Sequence, residues 1–243
     1  MALGFASAGP FDRSEPLFST AYSPVMPGPT MLPPEEPDFG PWKVVSVAEL
    51  LGAWRQKLPD PGTRSGVLAV DGRGASGKST LAAAVNRAVP GSVVVHTDDI
   101  AWHHSFFDWT ALARDGVLLP VHAALEVRCR PPAWEERGRE GAIVVPRSCP
   151  LVIFEGSGAS RQELTPWIDV AIWVQSDEVK SKTRGLVRDG GSAEAEAFWD
   201  EWMAEELPFF AQDRPWERAN MVASGMPVLD HDPSSQLVDS ART

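Results

Sequence analysis

The densest chemistry in the chain lies in eight consecutive residues, Gly72-Arg73-Gly74-Ala75-Ser76-Gly77-Lys78-Ser79. Glycines at these positions let a backbone curl closely around an anion. The lysine and hydroxyl that follow supply a mobile cation and an oxygen ligand for a divalent metal. The order GxxxxGK[ST] is that of a loop wrapped around the phosphates of a nucleoside triphosphate. Lys78 then reaches the β- and γ-phosphates, Ser79 takes a place on Mg²⁺ and Thr80 adds a phosphate contact. Gly72, Gly74, Ala75, Ser76, Gly77, Lys78, Ser79 and Thr80 are thus the expected binding set for ATP and Mg²⁺. The same glycines also spell GxGxxG, with Asp98 further on at a strand end, as in dinucleotide sites where that acid holds a ribose. The Gly77-Lys78-Ser79 tail decides against that reading, because a dinucleotide site makes no use of it.

Moving a phosphoryl group also needs a second metal-side carboxylate, cations on the migrating phosphate and a group that orients the attacking hydroxyl. Leu151-Val152-Ile153-Phe154 is a buried-strand run delivering Glu155 to its C-terminal end, where it can hold Mg²⁺ through water. Asp98 and Asp99 close another strand, and either can accept a hydrogen bond from an acceptor hydroxyl. Lys180, Arg184 and Arg188 recur at helical spacing, so they share one face that can fold over phosphates as a lid. In Trp102-His103-His104-Ser105-Phe106-Phe107-Asp108-Trp109 the aromatic rings, Trp102, His103 and Phe107 among them, either stack on a planar substrate or belong to the core. The five histidines show no zinc-ligand spacing.

These groups must be positioned by an α/β framework. Short apolar runs at Val67–Val70, Val93–His96, Leu151–Phe154, Val170–Val174 and Met221–Ala223 read as five strands of a parallel sheet. Helical patterns fill the gaps. Ser46-Val47-Ala48-Glu49 is a capping box opening a helix with Val47, Leu50, Leu51, Trp54 and Leu58 on one face, ended by Pro59-Asp60-Pro61-Gly62. Lys78 to Ala88 is a helix turning Leu81, Val85 and Ala88 to the sheet, and two more are expected near 177–189 and 193–211. Residues 1–41, rich in Pro, Gly and Ser, read as a disordered arm or a short docking peptide, 42–230 as the folded domain and 231–243 as a flexible tail. With 43% apolar and 23% charged residues the balance is that of a globular protein. A net charge of −11 speaks against nucleic acid as a partner, though a local cluster of N–H groups and cations still accommodates small anions. Two cysteines outside any CxxC pattern, no apolar run long enough for a membrane and no signal-peptide pattern together give a cytoplasmic expectation.

From about Trp42 to Gly225 the chain resembles the uridine kinase-like branch of P-loop kinases, alongside phosphoribulokinase and pantothenate kinase. It is similar above all to actinobacterial members. The resemblance is carried by Val70-Asp71-Gly72 through Leu81, Thr97-Asp98-Asp99, Val152-Ile153-Phe154-Glu155-Gly156 and Arg184-Gly185-Leu186-Val187-Arg188-Asp189. Phe198 through Trp202 and Arg214-Pro215-Trp216-Glu217-Arg218-Ala219 look like that group's closing segment. It implies a P-loop three-layer α/β/α fold with a central parallel five-stranded sheet and a helical lid. It also implies transfer of the γ-phosphate of ATP to an alcohol, with Asp98 as the catalytic acid or base and Arg184 and Arg188 as lid arginines. One segment departs from the pattern: where relatives carry an acid, Arg128-Cys129-Arg130-Pro131-Pro132-Ala133-Trp134 has Ala133 and two prolines. The acceptor class therefore widens from uridine to a modified nucleoside, another sugar alcohol or an antibiotic hydroxyl.

The leading expectation is an ATP- and Mg²⁺-dependent kinase, with Lys78, Asp98, Arg184 and Arg188 catalytic and a nucleoside-like hydroxyl acceptor as partner. A nucleoside monophosphate kinase, with Arg128 and Arg130 on the acceptor's phosphate, is a second. An ATP-sensing module that transfers nothing is a third, favoured by the Pro-rich arm and the altered segment.

Overall fold

The computed structural model describes residues 30–241. Its strands are β1 (Trp42–Ser46), β2 (Gly66–Gly72), β3 (Val93–His96), β4 (Val127–Cys129), β5 (Ile143–Val145), β6 (Leu151–Glu155), β7 (Val170–Gln175), β8 (Met221–Ser224) and β9 (Gln236–Ser240). The α-helices are α1 (Val47–Trp54), α2 (Lys78–Ala88), α3 (Thr97–Ala101), α4 (Thr110–Ala113), α5 (Leu119–His122), α6 (Pro132–Glu136), α7 (Glu178–Arg188) and α8 (Ala193–Asp213).

β2, β6 and β7 are buried at every residue. Continuous apolar runs of this kind belong at the centre of a parallel sheet covered on both faces. Alternate side chains accordingly feed two cores. Leu68, Val70, Ile153 and Ile172 pack with Trp54, Leu81 and Val85 on one side. Val67, Ala69, Val152 and Phe154 pack with Trp109, Val117 and Leu164 on the other. Ala88, expected on the sheet side of α2, is exposed in its last turn.

The sheet has seven strands in the order β1-β9-β8-β7-β2-β6-β3, and β4 and β5 form a separate pair. The stretch β3-β6-β2-β7-β8 is parallel and corresponds to the five apolar runs. The five-stranded expectation is corrected by β9 and β1, which continue the sheet antiparallel. Their half-exposed patterns lack the apolar runs that mark the central strands, so they escape a search for such runs. The tail expected to be flexible contributes β9, with Leu237 and Val238 buried.

The arm also needs correction from residue 30 onward; residues 1–29 lie outside the described residues. Met31 accepts a backbone hydrogen bond from Glu178 and donates one to the Asp177 carboxylate, both at the start of α7. Glu36 is buried and receives Arg73 Nη2 at 2.7 Å, Trp173 Nε1 at 2.7 Å and Gln175 Nε2 at 2.9 Å. The Arg73 guanidinium lies 5.4 Å from the Phe210 ring centroid. A proline-rich segment with little apolar surface is thus fixed by one buried charge.

Removing that charge leaves Arg73 buried and uncompensated, since the paired side chains are 2% and 0% exposed. Glu36→Ala is expected to cost about 3–5 kcal/mol, the range for breaking a buried ion pair. Urea unfolding of the full chain measures it, and a loss below about 1 kcal/mol contradicts the assignment.

Candidate active site

β2, β3, β6, β7 and β8 all point their C-terminal ends at one edge of the sheet. β2 lies between β6 and β7, and the chain connects from β2 to one side and from β6 to the other. The crevice opened by such a switch point is where ligands sit in open α/β sheets.

The glycine-rich loop fills this crevice. α2 opens at Lys78 behind Gly77, which has φ +102° and offers no side-chain cap. A residue with a Cβ is strained at that angle. With no cap, the first-turn N–H groups and the positive end of the helix remain available to an anion. Ser76 Oγ is buried beside them with no partner among the described residues. The loop is tied from behind. The Asp71 carboxylate accepts from Gly72 N (2.7 Å), Gly158 N (2.8 Å), Ser160 N (2.8 Å) and Ser160 Oγ (2.8 Å). Glu206 Oε1 accepts from Gly74 N at 2.7 Å. Burial pushes both carboxyls above the ordinary range, opposed for Asp71 by these hydrogen bonds and for Glu206 first by Lys78 and then by Gly74.

Lys78 Nζ donates to Arg73 O at 2.6 Å and approaches Ser157 Oγ at 3.4 Å. Ser79 Oγ lies 3.3 Å from Glu155 Oε1, and Glu155 Oε2 lies 2.6 Å from His96 Nδ1. Two hard oxygen donors side by side at the mouth of the loop suit Mg²⁺. Burial works to raise the Glu155 carboxyl, but the His96 hydrogen bond, Lys78 and Ser79 outweigh it and hold it low. The same hydrogen bond raises His96, against desolvation.

Two cavities meet here. One of about 100 Å³ is bounded by the loop, Glu155 and Arg188. The other, of about 500 Å³, lies between the 101–109 segment and α8. Asp98, Ser157, Phe198 and Trp202 line both. Asp98 therefore stands at the junction, still open to the cleft. Desolvation by the cleft walls raises its carboxyl, Lys78 and His96 oppose this, and Glu155 and Asp99 add to it. Asp99 is turned away: its carboxylate meets Arg139 Nη2 at 2.5 Å and its carbonyl receives Trp134 Nε1 at 2.8 Å.

The two lid arginines have different positions. Arg188 lines the phosphate cavity and pairs with Asp189 at 2.8 Å. Arg184 lies on the outer side of the loop, donating to Ala75 O at 3.1 Å and Gly225 O at 3.2 Å. There it lines a third cavity of about 260 Å³ together with Thr80, Pro227 and His231. Gly185, between the two arginines, touches α8 so closely that a Cβ on it would lie 1.9 Å from Trp199.

Among the other candidates, His103 lines the larger cavity. Phe107 is stacked on Phe209 at 4.4 Å, within the aromatic packing under α8. Trp102 packs on His103 and beneath the Arg139 guanidinium. Arg130 is spent on the carbonyls of Gly141 and Arg139, and Arg128 is exposed on β4; neither lines a cavity. Ser157, Glu206, Phe198 and Trp202 are not site candidates from the sequence alone, though Phe198 and Trp202 carry a signal through the closing-segment resemblance. Phe106, within the aromatic stretch singled out by the sequence, lines the larger cavity.

No protein-family model matches the chain, and no curated protein matches it. Among solved structures it is similar to a possible uridine kinase from Bacillus stearothermophilus, at 18% identity and TM-score 0.44, over 72% of this chain and 96% of that one. It is also similar to a candidate fructose transport system kinase from a Silicibacter species, at 20% identity and TM-score 0.41, over 72% and 95%. No helix among the described residues is long and apolar enough to cross a membrane.

In the metal- and nucleotide-free protein, His96 is expected to titrate above the ordinary histidine value of about 6.5. A raised folded value means the pair's contribution is full below that pH and lost as pH rises through the folded value. NMR titration of the imidazole checks this, and Glu155→Gln should bring the midpoint back toward 6.5.

Proposed function

We propose that the protein is an ATP- and Mg²⁺-dependent phosphotransferase that moves the γ-phosphoryl group to a hydroxyl of a small, nucleoside-sized acceptor. The observation that carries this reading is the junction at Asp98, where a phosphate-sized cavity on the loop opens into a larger cavity with aromatic walls. A sensor of ATP has no need of the second cavity, nor of a carboxylate between the two. The monophosphate alternative loses its support because Arg128 and Arg130 lie away from the cavity and no other Lys or Arg lines it.

Bound Mg²⁺–ATP supplies the transferable phosphoryl group and neutralises part of its charge. The loop N–H groups and Lys78 hold the β- and γ-phosphate oxygens, with Ser79 and Glu155 as the oxygen donors for the metal. Arg188 faces the same cavity and stabilises charge that grows on the migrating group. Asp98 accepts the hydrogen bond of the acceptor hydroxyl and takes its proton, a role that its raised carboxyl suits. The third cavity, beside Gly77 and Thr80, fits the nucleobase, with Arg184 against it.

Asp98→Asn should lower phosphotransfer by about 10²–10⁴-fold while ATP still binds. Incubation of the full chain with ATP, Mg²⁺ and a panel of alcohols, read as a phosphate mass gain, tests this. ATP binding without a product from any alcohol would favour the sensing reading. The two arginines should separate kinetically: Arg188→Ala lowers kcat by about 10²-fold or more, whereas Arg184→Ala chiefly weakens ATP binding.

A further inference from the structure

The acceptor cavity has a charge pattern that phosphotransfer alone does not use. Asp98, Glu194, Glu201 and Glu205 line it together with His103 and His104, and its lining includes no Lys or Arg. The three glutamates come from α8 at positions that share one helix face with Phe198 and Trp202. Glu194 is tied to the helix start through Ser192. Among the described residues Glu201 and Glu205 make no ion pair or hydrogen bond. On the same helix, Asp200 is paired with Lys182 and Asp213 with Arg218. Glu201 and Glu205 thus face the cavity without a partner among the described residues.

Aromatic rings stand between them. Phe106 meets Trp202 edge-on at 5.0 Å and Phe198 at 5.7 Å, and all three rings line the cavity with the acids. Carboxylates beside aromatic faces, with no Lys or Arg among them, make a site for an organic cation. The strong cations are also segregated: Lys78 and Arg188 line the smaller cavity beside Asp98 and Glu155, whereas the larger one has acids and no Lys or Arg. An anionic acceptor is repelled by that wall, and a neutral one gains nothing from its exposed carboxylates.

We infer that the acceptor is an alcohol carrying an amine or guanidine, cationic at neutral pH, whose charge is held by Glu201 and Glu205 against the rings of Phe106 and Trp202 while its hydroxyl faces Asp98. This rests on the phosphotransfer reading and names the acceptor's chemical class. In the transfer, the acceptor oxygen bonds to the γ-phosphorus as the β–γ bridging oxygen leaves with ADP. The hydroxyl proton passes to Asp98 and then to water.

The test uses two sets of acceptors, each with a common skeleton and differing charge class: glucosamine, glucose and glucuronate, and 5-aminomethyluridine, uridine and orotidine. Binding to the full chain is measured by calorimetry with a non-hydrolysable ATP analogue and Mg²⁺ present, and phosphorylation by mass gain with ATP. In at least one set the amine should bind about tenfold or more tighter than its neutral counterpart, with the carboxylate weakest. The double variant Glu201→Gln/Glu205→Gln should abolish that preference, and Glu201→Lys/Glu205→Lys should reverse it toward the carboxylate. Equal or better binding of the neutral member, no saturable binding of either amine, or a preference unchanged in the double variant overturns the inference. ATP affinity with and without Lys78→Ala, measured in parallel, separates the two readings. Lys78-dependent ATP binding without a charge preference defeats the acceptor class alone, and loss of any ATP binding defeats phosphotransfer itself.

Discussion

A phosphate loop works by leaving hydrogen-bond donors unsatisfied on its concave side, and that is affordable only if its convex side is held. Buried carboxylates do the holding in this protein. Asp71 takes Gly72 N, Glu206 takes Gly74 N and Glu36 takes the Arg73 guanidinium. Each comes from a different part of the chain: the strand under the loop, the long helix over it and the arm ahead of the domain. The loop's curvature is thus set by groups spread along the sequence, and the same bonds join sheet, helix and arm at one place.

The rest of the site follows from where those elements end. The Asp71 carboxylate reaches across to Gly158 and Ser160, so the turn after β6 is fixed relative to the loop. That turn places Ser157 against Lys78 and leaves Glu155 opposite Ser79. β3, on the far side of β6, brings His96 to Glu155 and Asp98 to the boundary of the two cavities. Glu155 and Asp98 thereby follow neighbouring strands whose register is fixed by the sheet, not by a mobile loop.

Much of this was legible in the sequence. The loop, the five parallel strands and the carboxylates at two strand ends depend on contiguous residues, and local chemistry marks them. The arm did not read correctly because its anchoring depends on Glu36 meeting Arg73, Trp173 and Gln175, partners more than thirty residues away or more. Composition averages over such a residue. β9 was missed because Gln236-Leu237-Val238-Asp239-Ser240 carries only two consecutive apolar residues. The aromatic cluster at 102–109 was left open between core and substrate, and it divides: Phe107 packs into the core, whereas Phe106, one residue earlier, faces the cavity. Arg184 and Arg188 share a helix face by spacing, yet Arg184 donates to Ala75 O on the loop whereas Arg188 lines the smaller cavity.

α8 joins these parts mechanically. Glu206 holds the back of the loop, Trp199 fills the notch at Gly185 of α7, Phe198 and Trp202 wall both cavities, and Phe210 lies under Arg73. A ligand that draws Glu201 or Glu205 inward acts on the same rigid element that fixes Gly74 and supports the arginine-bearing helix. Packed helices shift between discrete arrangements more readily than they deform. The wall of the larger cavity and the helix bearing Arg188 are therefore joined through α8. Its acidic face and its contact with the loop are two sides of a single device.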